Sequence, residues 1–347
     1  MGRVRQILLA PAAAVQIDDY PLACSWAADG SAIAVAGGEG GVFALRLAPD
    51  GSTLDAARLG EHAVGVLDLA GRPGSLEFST CGEDGVLAHW DLRRNKPLWR
   101  VSIGDRQRGE KLAWRADGAM LACASGRRIS LWRADGTTAQ RIDPLPASVN
   151  ALAWSPDRRD LGVATHGAVT LLRVADGRCD VRRFPWSDTC LTVDFSPNSR
   201  IVASGMQDSA VHFWYLLDGR NSQMRGYPGK VDALSWSGNS RYLATGGGND
   251  VIVWDFSGRG PEGSQPLQLR GHTERITALA FQPGGTLLAS AGRDWRLSLW
   301  QPGKSPVALD AQLADGEITL LSWAPDGQRL LIGASSGQLQ LYCLRSV

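Results

Sequence analysis

Histidine and cysteine are the residues of this chain best suited to metal binding and to nucleophilic or acid–base chemistry. The 347 residues include five histidines (His62, His89, His166, His212, His272) and six cysteines (Cys24, Cys81, Cys123, Cys179, Cys190, Cys343). The cysteines form no CxxC pair and no zinc-ligand spacing, and no two histidines can be joined by one helix face or one short loop. The sequence therefore predicts no enzyme activity, no metal and no cofactor, and it predicts free, buried thiols in a reducing compartment.

Glycine and aspartate, which could bind phosphate or act in acid catalysis, fall at turn positions instead. The chain has 41 glycines, but none belongs to a phosphate-binding loop that leads into a helix. Asp29, Asp117 and Asp157 each follow an apolar run within a turn-forming segment. Turn formation is therefore the expected role of these carboxylates.

Composition excludes several classes of protein. Hydrophobic residues make up 44% of the chain, and 36 basic residues against 35 acidic ones leave a net charge of +1. This balance argues against a nucleic-acid binder whose whole surface is basic, and no apolar run is long enough for a membrane helix. Only 4 of the basic residues are lysine, which with abundant alanine, glycine and arginine favours a bacterial source. A cytoplasmic location is expected because the repeat described below gives the N-terminal segment a structural role.

A repeat of 40–45 residues must position these side chains. Its anchor residues are Trp26, Leu69, Trp114, Trp154, Phe195, Trp236, Phe281 and Trp323, at intervals of 43, 45, 40, 41, 41, 45 and 42. An alternating apolar run precedes each anchor and turn-forming residues follow it, which indicates a strand and a tight turn. A second strand of small apolar residues, a third strand and a variable fourth follow, and four strands per repeat are typical of a β-propeller blade. We therefore predict an all-β protein, a single domain of eight four-stranded blades over residues 1–347, with seven blades as the alternative.

Two of the repeats carry the same set of polar residues. His62, Thr80, Asp84 and Trp90 are spaced by 18, 4 and 6 residues, and His272, Ser290, Asp294 and Trp300 repeat those intervals. In these residues, and in the dipeptides Gly271-His272 and Trp90-Asp91, the chain resembles the WD-repeat β-propeller family. The resemblance covers nearly the whole chain.

The resemblance implies both an internal network and a way of closing the propeller. The four polar residues of each set are expected to form a hydrogen-bonded chain within a blade. The fifth repeat keeps Ser204, Asp208 and Trp214 but has Trp186 in place of the histidine. The N-terminal strand of the family completes the last blade, and the apolar residues 4–9 are expected to do so here, which also hides exposed sheet edges.

Ten of the 13 tryptophans fall on anchors or on the ends of third strands, and we expect them in the core. Trp186 and Trp295 are instead predicted to lie in loops on one rim, the surface that the resemblance implies for partner contacts. Family positions that commonly touch partners carry over to Arg108, Lys230, Arg275 and Arg293, with Arg296 beside them. Exposed tryptophan and arginine are enriched in binding hot spots. Together the predicted partner-binding residues are Arg293, Trp295, Arg296, Arg275, Lys230, Trp186 and Arg108.

These features favour a monomeric, non-catalytic scaffold that presents rim loops to other proteins. An acidic peptide segment is one candidate ligand. One alternative is a small-ligand-binding or hydrolytic propeller that uses its central channel. A further alternative is nucleic-acid binding through a second basic cluster, residues 105–109 with Arg127 and Arg128. Because Asp105 and Glu110 dilute that cluster, nucleic acid is the least favoured partner.

Overall fold

The computed structural model describes residues 7–48, 51–94, 96–104, 107–175, 178–258 and 260–346. Their strands form eight antiparallel sheets, the blades of a β-propeller, which confirms eight blades over the alternative of seven. No helix in these ranges is long and apolar enough to span a bilayer. The chain divides into two compact units: a five-blade unit (Leu22–Arg46 and Ala56–Val231) and a three-blade unit (Met1–Pro21, Leu47–Asp55 and Asp232–Val347).

The five-blade unit contains blades 1 to 5, apart from Pro21, Leu47 and the first two residues of the outer strand of blade 1. Its strands, in chain order, are β2 (Pro21–Trp26), β3 (Ala32–Gly37), β4 (Gly41–Leu47) and β5 (Leu54–Glu61) in blade 1; β6 (Val66–Gly71), β7 (Glu77–Gly82), β8 (Val86–Asp91) and β9 (Pro97–Ser102) in blade 2; β10 (Lys111–Trp114), β11 (Met120–Ser125), β12 (Arg128–Arg133) and β13 (Thr138–Ile142) in blade 3; β14 (Val149–Trp154), β15 (Leu161–Ala175) and β16 (Arg178–Thr189) in blade 4; and β17 (Asp194–Phe195), β18 (Ile201–Gly205), β19 (Val211–Tyr215) and β20 (Asn221–Met224) in blade 5.

The three-blade unit contains blades 6 to 8 and the N-terminal strand. Its strands are β21 (Ala233–Trp236), β22 (Tyr242–Gly246), β23 (Val251–Asp255) and β24 (Leu267–Leu269) in blade 6; β25 (Ile276–Phe281), β26 (Leu288–Gly292), β27 (Arg296–Trp300) and β28 (Asp310–Leu313) in blade 7; and β29 (Ile318–Trp323), β30 (Arg329–Ala334), β31 (Gln338–Ser346) and β1 (Ile7–Gln16) in blade 8. β1 pairs antiparallel with β31 as the outer strand of blade 8, so the predicted closure by the N-terminal strand is confirmed. Residues 4–6 of the predicted closing strand lie outside the described residues.

The middle strands of the blades are buried on both faces, which explains their composition. Every residue of β3, β18, β22 and β26 is buried. Small residues such as alanine and glycine alternate with larger aliphatic ones there because a neighbouring blade packs at close range. Indole groups at the anchors fill the remaining space and also bond across blades. Trp154 Nε1 donates to the Ala113 carbonyl of blade 3 at 3.0 Å, and Trp323 Nε1 donates to the Ala280 carbonyl of blade 7 at 3.0 Å.

Two details of the repeat differ from the sequence-based alignment. In blade 2 the anchor position is Gly71, two residues after the predicted Leu69, since Gly71 pairs with Phe78 as Trp114 pairs with Leu121 in blade 3. A Cβ on Gly71 would meet the Ser25 side chain of blade 1 at 2.0 Å, so close packing leaves no room there for an aromatic ring. In blade 4 the second and third strands form the single 15-residue strand β15, whose first part pairs with β14 and whose later part pairs with β16.

The closing strand offers a test of how blade 8 is completed. Leu9 is 2% exposed within the hydrophobic core of blades 7 and 8, and its backbone N–H donates to Asp310 at 2.7 Å. We expect Leu9→Ala to lower the free energy of unfolding by about 2–5 kcal/mol, because it leaves a cavity in that core. Urea denaturation followed by tryptophan fluorescence would measure this. Ala14→Ser, at an exposed position of the same strand, should change stability by less than about 0.5 kcal/mol. Equal effects of the two variants would contradict the packing of β1.

Candidate functional site

Blade 2 contains a buried chain of hydrogen bonds that joins its third strand to the loop after β5. Trp90 Nε1 donates to Thr80 Oγ1 at 2.8 Å, Thr80 Oγ1 lies 2.9 Å from His62 Nε2, and His62 Nδ1 lies 2.9 Å from Asp84. An indole N–H can only donate, so the Thr80 hydroxyl proton points to His62 Nε2 and the His62 proton sits on Nδ1, facing the carboxylate. Asp84 also accepts the backbone N–H of Ala63 at 3.1 Å. These hydrogen bonds therefore hold the loop against the turn that follows β7.

Blade 7 repeats the same arrangement within the three-blade unit. Trp300 Nε1 donates to Ser290 Oγ at 2.8 Å, which lies 2.7 Å from His272 Nε2, and His272 Nδ1 lies 3.0 Å from Asp294. The backbone N–H of Thr273 donates to Asp294 at 2.8 Å. The eight residues that the sequence singled out are thus in hydrogen-bond contact as two separate sets of four.

The charges in these chains shift the pKa values of their members. Burial would raise the pKa of the Asp84 carboxyl, but hydrogen bonds from His62 and from two backbone N–H groups outweigh burial and hold the pKa below its usual range. Asp294 behaves in the same way with His272 as its partner. Burial lowers the pKa of His62, and Asp84 opposes this only in part. At neutral pH each site therefore holds a carboxylate, and the His62 ring is neutral.

Trp295 occupies the turn that the blade 7 network holds, and its backbone is unusual. Its φ is 63°, in the left-handed region, and its side chain is 52% exposed. The equivalent turn has Gly85 (φ 72°) in blade 2, Gly40 in blade 1 and Gly337 in blade 8, because glycine adopts this conformation without steric cost. A bulky side chain there costs about 1–2 kcal/mol. The predicted exposure of Trp295 in this loop agrees with its place in the structure.

Leu313 extends the exposed apolar surface beside Trp295. The backbone N–H of Ala314 donates to the Trp295 carbonyl at 2.8 Å, and Leu313 lies opposite Arg296 in the pairing of β27 with β28. Leu313 is 70% exposed. Trp295 and Leu313 together are called the blade 7 patch below.

Carboxylates neutralise two of the predicted arginines around this patch. Arg293 Nε lies 3.1 Å from Glu317, and Arg275 Nη2 lies 2.6 Å from Asp232. Arg296 is half-buried at the start of β27. Ion pairs, and not a free cationic surface, therefore flank the apolar patch.

The remaining predicted residues belong to the five-blade unit. Lys230 lies just before its end, at Val231. Trp186 does not lie in a loop as predicted: it is part of β16, where its ring packs on His212 with ring centroids 3.9 Å apart. The prediction of a loop at Trp186 was wrong because β16 is 12 residues long, longer than the outer strands of the other blades of this unit.

Arg108 lines a cavity that is also lined by most of the second basic cluster. Its guanidinium lies 3.4 Å from Glu83 and 3.6 Å from Glu110. A cavity of about 680 Å³ is bounded by Arg108, Arg127 and Arg128, and Arg127 donates to the Leu145 carbonyl at 2.5 Å. Residues 105 and 106 of the predicted cluster lie outside the described residues.

Other titratable groups with shifted pKa values lie inside the blades. The Glu77 carboxylate pairs with Arg72 and lies 3.2 Å from His89 Nε2; these hydrogen bonds outweigh burial and lower the pKa of Glu77. Arg72 also donates to the Gly118 carbonyl at 2.8 Å, so the network fastens blade 2 to blade 3. Burial raises the pKa of Asp194 to about 7. Across the described part of the chain, no three His, Cys, Asp or Glu side chains are grouped so that they could hold a metal ion.

A second cavity, of about 780 Å³, lies between blades 4 and 5 of the five-blade unit and was not foreseen. It is called the blade 4–5 cavity below. Its lining includes the exposed side chains of Val181 and Leu217 and the arginines Arg182 and Arg200. A sequence signal existed: Leu217 is the third residue after Trp214, and the same position holds Arg93, Asp135 and Ser257 in blades 2, 3 and 6. Of these four repeats, only the one with Leu217 has an aliphatic residue at this position, and the other three have a polar residue.

Comparison with known families supports the repeat assignment. The WD40 family model, described as "WD domain, G-beta repeat", matches residues 180–215, 221–255 and 263–301. Each match begins in or shortly before the outer strand of one blade and ends at, or one residue after, the third strand of the next. The sequence repeat is therefore offset by one strand from the blade, as closure by an N-terminal outer strand requires.

Several curated proteins are similar to the chain. It is 25% identical over 257 residues to the B-type cell cycle switch protein ccs52A of Medicago truncatula, covering 68% of this chain and 50% of that protein. It is 26% identical to Protein FIZZY-RELATED 1 of Arabidopsis thaliana (69% and 50% covered) and 24% identical to the anaphase-promoting complex subunit cdc20 of Dictyostelium discoideum (82% and 50%). The chain spans about half the length of these relatives. They come from eukaryotes and give no support to the bacterial source predicted from composition.

A solved structure shows the same fold over the whole chain. The computationally designed Ika8 protein superposes with a TM-score of 0.78 and 19% identity, covering 98% of this chain and 99% of that one. At this identity the likeness concerns the fold alone.

The pKa values of the blade 2 network lead to a pH-dependent prediction. Asp84→Asn should lower the free energy of unfolding at pH 7 by about 1–3 kcal/mol, because it removes a charged hydrogen-bond partner of His62. The carboxylate stabilises the fold above its unfolded pKa near 4, and this contribution disappears as the pH falls through the lower folded-state value. The difference between parent and variant should therefore shrink below about pH 4, as urea midpoints across pH 3–8 would show. Replacement of the exposed Asp55 by Asn serves as the control, and a difference independent of pH would refute this assignment.

The backbone of Trp295 leads to a second prediction. Trp295→Gly should leave stability unchanged or raise it by up to about 1 kcal/mol, because relief of the left-handed strain offsets the loss of a half-exposed ring. Gly85→Ala, at the matched position of blade 2, should be strongly destabilising, since its Cβ would lie 2.4 Å from the Gln107 carbonyl oxygen. Thermal unfolding of both variants would test the pair. Marked destabilisation by Trp295→Gly would mean that the ring serves the fold and not a partner.

Proposed function

We propose that this chain, a β-propeller with WD40 repeats, is a non-catalytic scaffold that binds a partner protein through the blade 7 patch. Trp295 is the observation that carries the proposal. It is large, apolar and half-exposed, and it stands in a left-handed conformation at a turn where three other blades have glycine. Strain of this kind is retained where function needs the residue, and tryptophan is among the residues most enriched in binding hot spots.

The surroundings of Trp295 support a rigid docking site. Asp294, the residue before it, is held by His272 and by the backbone N–H of Thr273. Because the turn is already ordered, a partner loses little free energy in fixing it. The ion pair between Arg293 and Glu317 borders the apolar surface, as polar residues rim the apolar centre of many interfaces. A partner with an acidic side chain next to an apolar one could compete with Glu317 for Arg293.

The names of the relatives support the class of function. One is called an anaphase-promoting complex subunit and another a cofactor of the APC complex, so both names describe members of a protein assembly. We extend only that class to this chain: binding of protein partners by a propeller.

We further propose that the chain acts as a monomer in a reducing, cytoplasmic compartment. None of the six cysteines forms a disulfide, and three of them are buried. The bacterial source stays a prediction from the low lysine content.

Affinity capture followed by mass spectrometry tests the proposed function. The parent chain and the Arg293→Glu, Trp295→Ala double variant would be used as bait in parallel, after circular dichroism and thermal unfolding have shown that both are folded. We expect at least one protein to bind the parent and to be depleted at least tenfold with the variant, since loss of a hot-spot residue costs 2 kcal/mol or more, roughly thirtyfold in affinity.

A matched control separates this surface from the rest of the molecule. Val64→Ser changes an apolar residue of the five-blade unit that is 48% exposed, close to the exposure of Trp295, and it should leave the same partner bound. Partners that bind the double variant as well as the parent would exclude the blade 7 patch. Capture of nucleic acid that is lost steeply with added salt would favour that alternative instead, and a chain that retains only a small molecule would favour a channel ligand.

A further inference from the structure

We propose that the blade 4–5 cavity is a second binding site, one that takes an acidic peptide segment in which an aliphatic side chain stands next to a carboxylate. It lies in the five-blade unit and is independent of the blade 7 patch. The proposal rests on three features of the cavity: exposed aliphatic side chains at its mouth, arginines without carboxylate partners, and a fixed framework.

The aliphatic side chains at the mouth have no structural use. Leu217 is 97% exposed at the turn after β19, and Val181 is 62% exposed on β16. The cavity wall behind them includes Leu171, Leu216 and Tyr215. An exposed leucine at a turn gains nothing from burial in the folded chain, whereas it can be covered by an aliphatic side chain of a ligand.

The lining has five arginines and four aspartates, a net charge of +1, and three ion pairs join six of these residues. Asp180, Arg182 and Arg200 are left without an ion pair among the described residues. Arg173 forms a bidentate pair with Asp160 at 2.8 and 2.9 Å, and Arg220 pairs with Asp218 at 2.7 Å. Arg182 and Arg200 have no carboxylate partner within the described residues. Arginine binds a carboxylate through two parallel hydrogen bonds, so these two guanidinium groups specify an acidic ligand.

Arg182 is held in place by the fold, whereas the Arg200 guanidinium is exposed and has no polar partner in the described part of the chain. Arg182 donates to the Leu216 carbonyl at 2.6 Å and lies over the Phe184 ring, 4.7 Å from its centroid. This bond joins the outer strand of blade 4 to the turn that carries Leu217. The Arg200 guanidinium forms no hydrogen bond or ion pair with the described residues. The two arginines can therefore both bind a carboxylate beside Leu217.

The floor of the cavity is rigid. The backbone N–H of Asp157 donates to Ser199 Oγ at 3.1 Å, which ties the first turn of blade 4 to the first turn of blade 5. Arg158 and Ser199 sit in left-handed conformations at these turns, with φ values of 66° and 54°. The linked turns therefore hold the floor in one arrangement. The cavity volume of about 780 Å³ is within the range of sites that bury small ligands.

Methyl NMR of the whole chain, labelled at Leu and Val, tests the site directly. The probe is acetyl-Glu-Leu-Asp-Leu-amide, titrated to about 5 mM, a concentration that detects even millimolar affinity. We expect saturable shifts of the Leu217 and Val181 methyl signals. The peptide in which both acids are lysine should not shift them, and the peptide in which both leucines are alanine should bind at least tenfold more weakly.

Two variants locate the binding. Arg200→Glu should weaken binding of the probe at least tenfold while leaving the spectrum otherwise unchanged, since the Arg200 guanidinium is exposed and forms no hydrogen bond or ion pair with the described residues. Arg225→Glu, an exposed arginine outside the cavity, should not. No shift at 5 mM, equal shifts with the lysine peptide, or unchanged binding to Arg200→Glu would each overturn the proposal. Equal binding of the alanine peptide would mean an anion site only, and would overturn the peptide assignment. Trp295→Ala should retain the probe, so this site and the proposed function can fail separately.

Discussion

The fold depends on one constraint: each blade is a sheet whose two faces must both be covered. An isolated four-stranded sheet would leave at least one apolar face in water, so blades are stable only side by side. The fully buried strands β3, β18 and β26 meet this constraint with small and aliphatic residues. The indoles of Trp154 and Trp323 fill the space between blades and bond to the neighbouring backbone. Since the faces of the blades are used for packing, turns and outer strands are the places left for function.

The two hydrogen-bond chains convert this packing into order at the turns. His62 and His272 each reach from the loop that enters a blade to the carboxylate of a turn within it. In both chains the buried indole, hydroxyl and imidazole groups all have hydrogen-bond partners, as burial demands. In blade 7 the network holds a turn that contains Trp295 in a strained conformation. Rigid support of this kind allows an otherwise unfavourable side chain to remain exposed.

Residues that depart from the repeat pattern are informative because packing within the repeat explains the residue type at most positions. Trp295 stands where blades 1, 2 and 8 have glycine, and Leu217 stands where blades 2, 3 and 6 have arginine, aspartate and serine. Neither substitution improves the packing of its own blade, and both place apolar surface in water. Two of the predicted arginines, in contrast, are not exposed as unpaired charges. In the sequence Arg275 and Arg293 have no evident partner, but in the structure they form ion pairs with Asp232 and Glu317. The distribution of apolar residues therefore distinguishes candidate surfaces better than the distribution of arginines does.

The sequence by itself determined the strands, the number of blades, the closing role of the N-terminal segment and the members of both polar networks. Each of these depends on local periodicity or on fixed spacing within one repeat, and both can be read along the chain. Only the tertiary structure decided that Gly71 is the anchor of blade 2, that Trp186 packs within β16, and which arginines have partners. The blade 4–5 cavity, with Val181 and Leu217 in its lining, can also be recognised only in the tertiary structure. These features arise from contacts between residues of neighbouring blades, whose distances depend on how the sheets pack and not on any interval in the sequence.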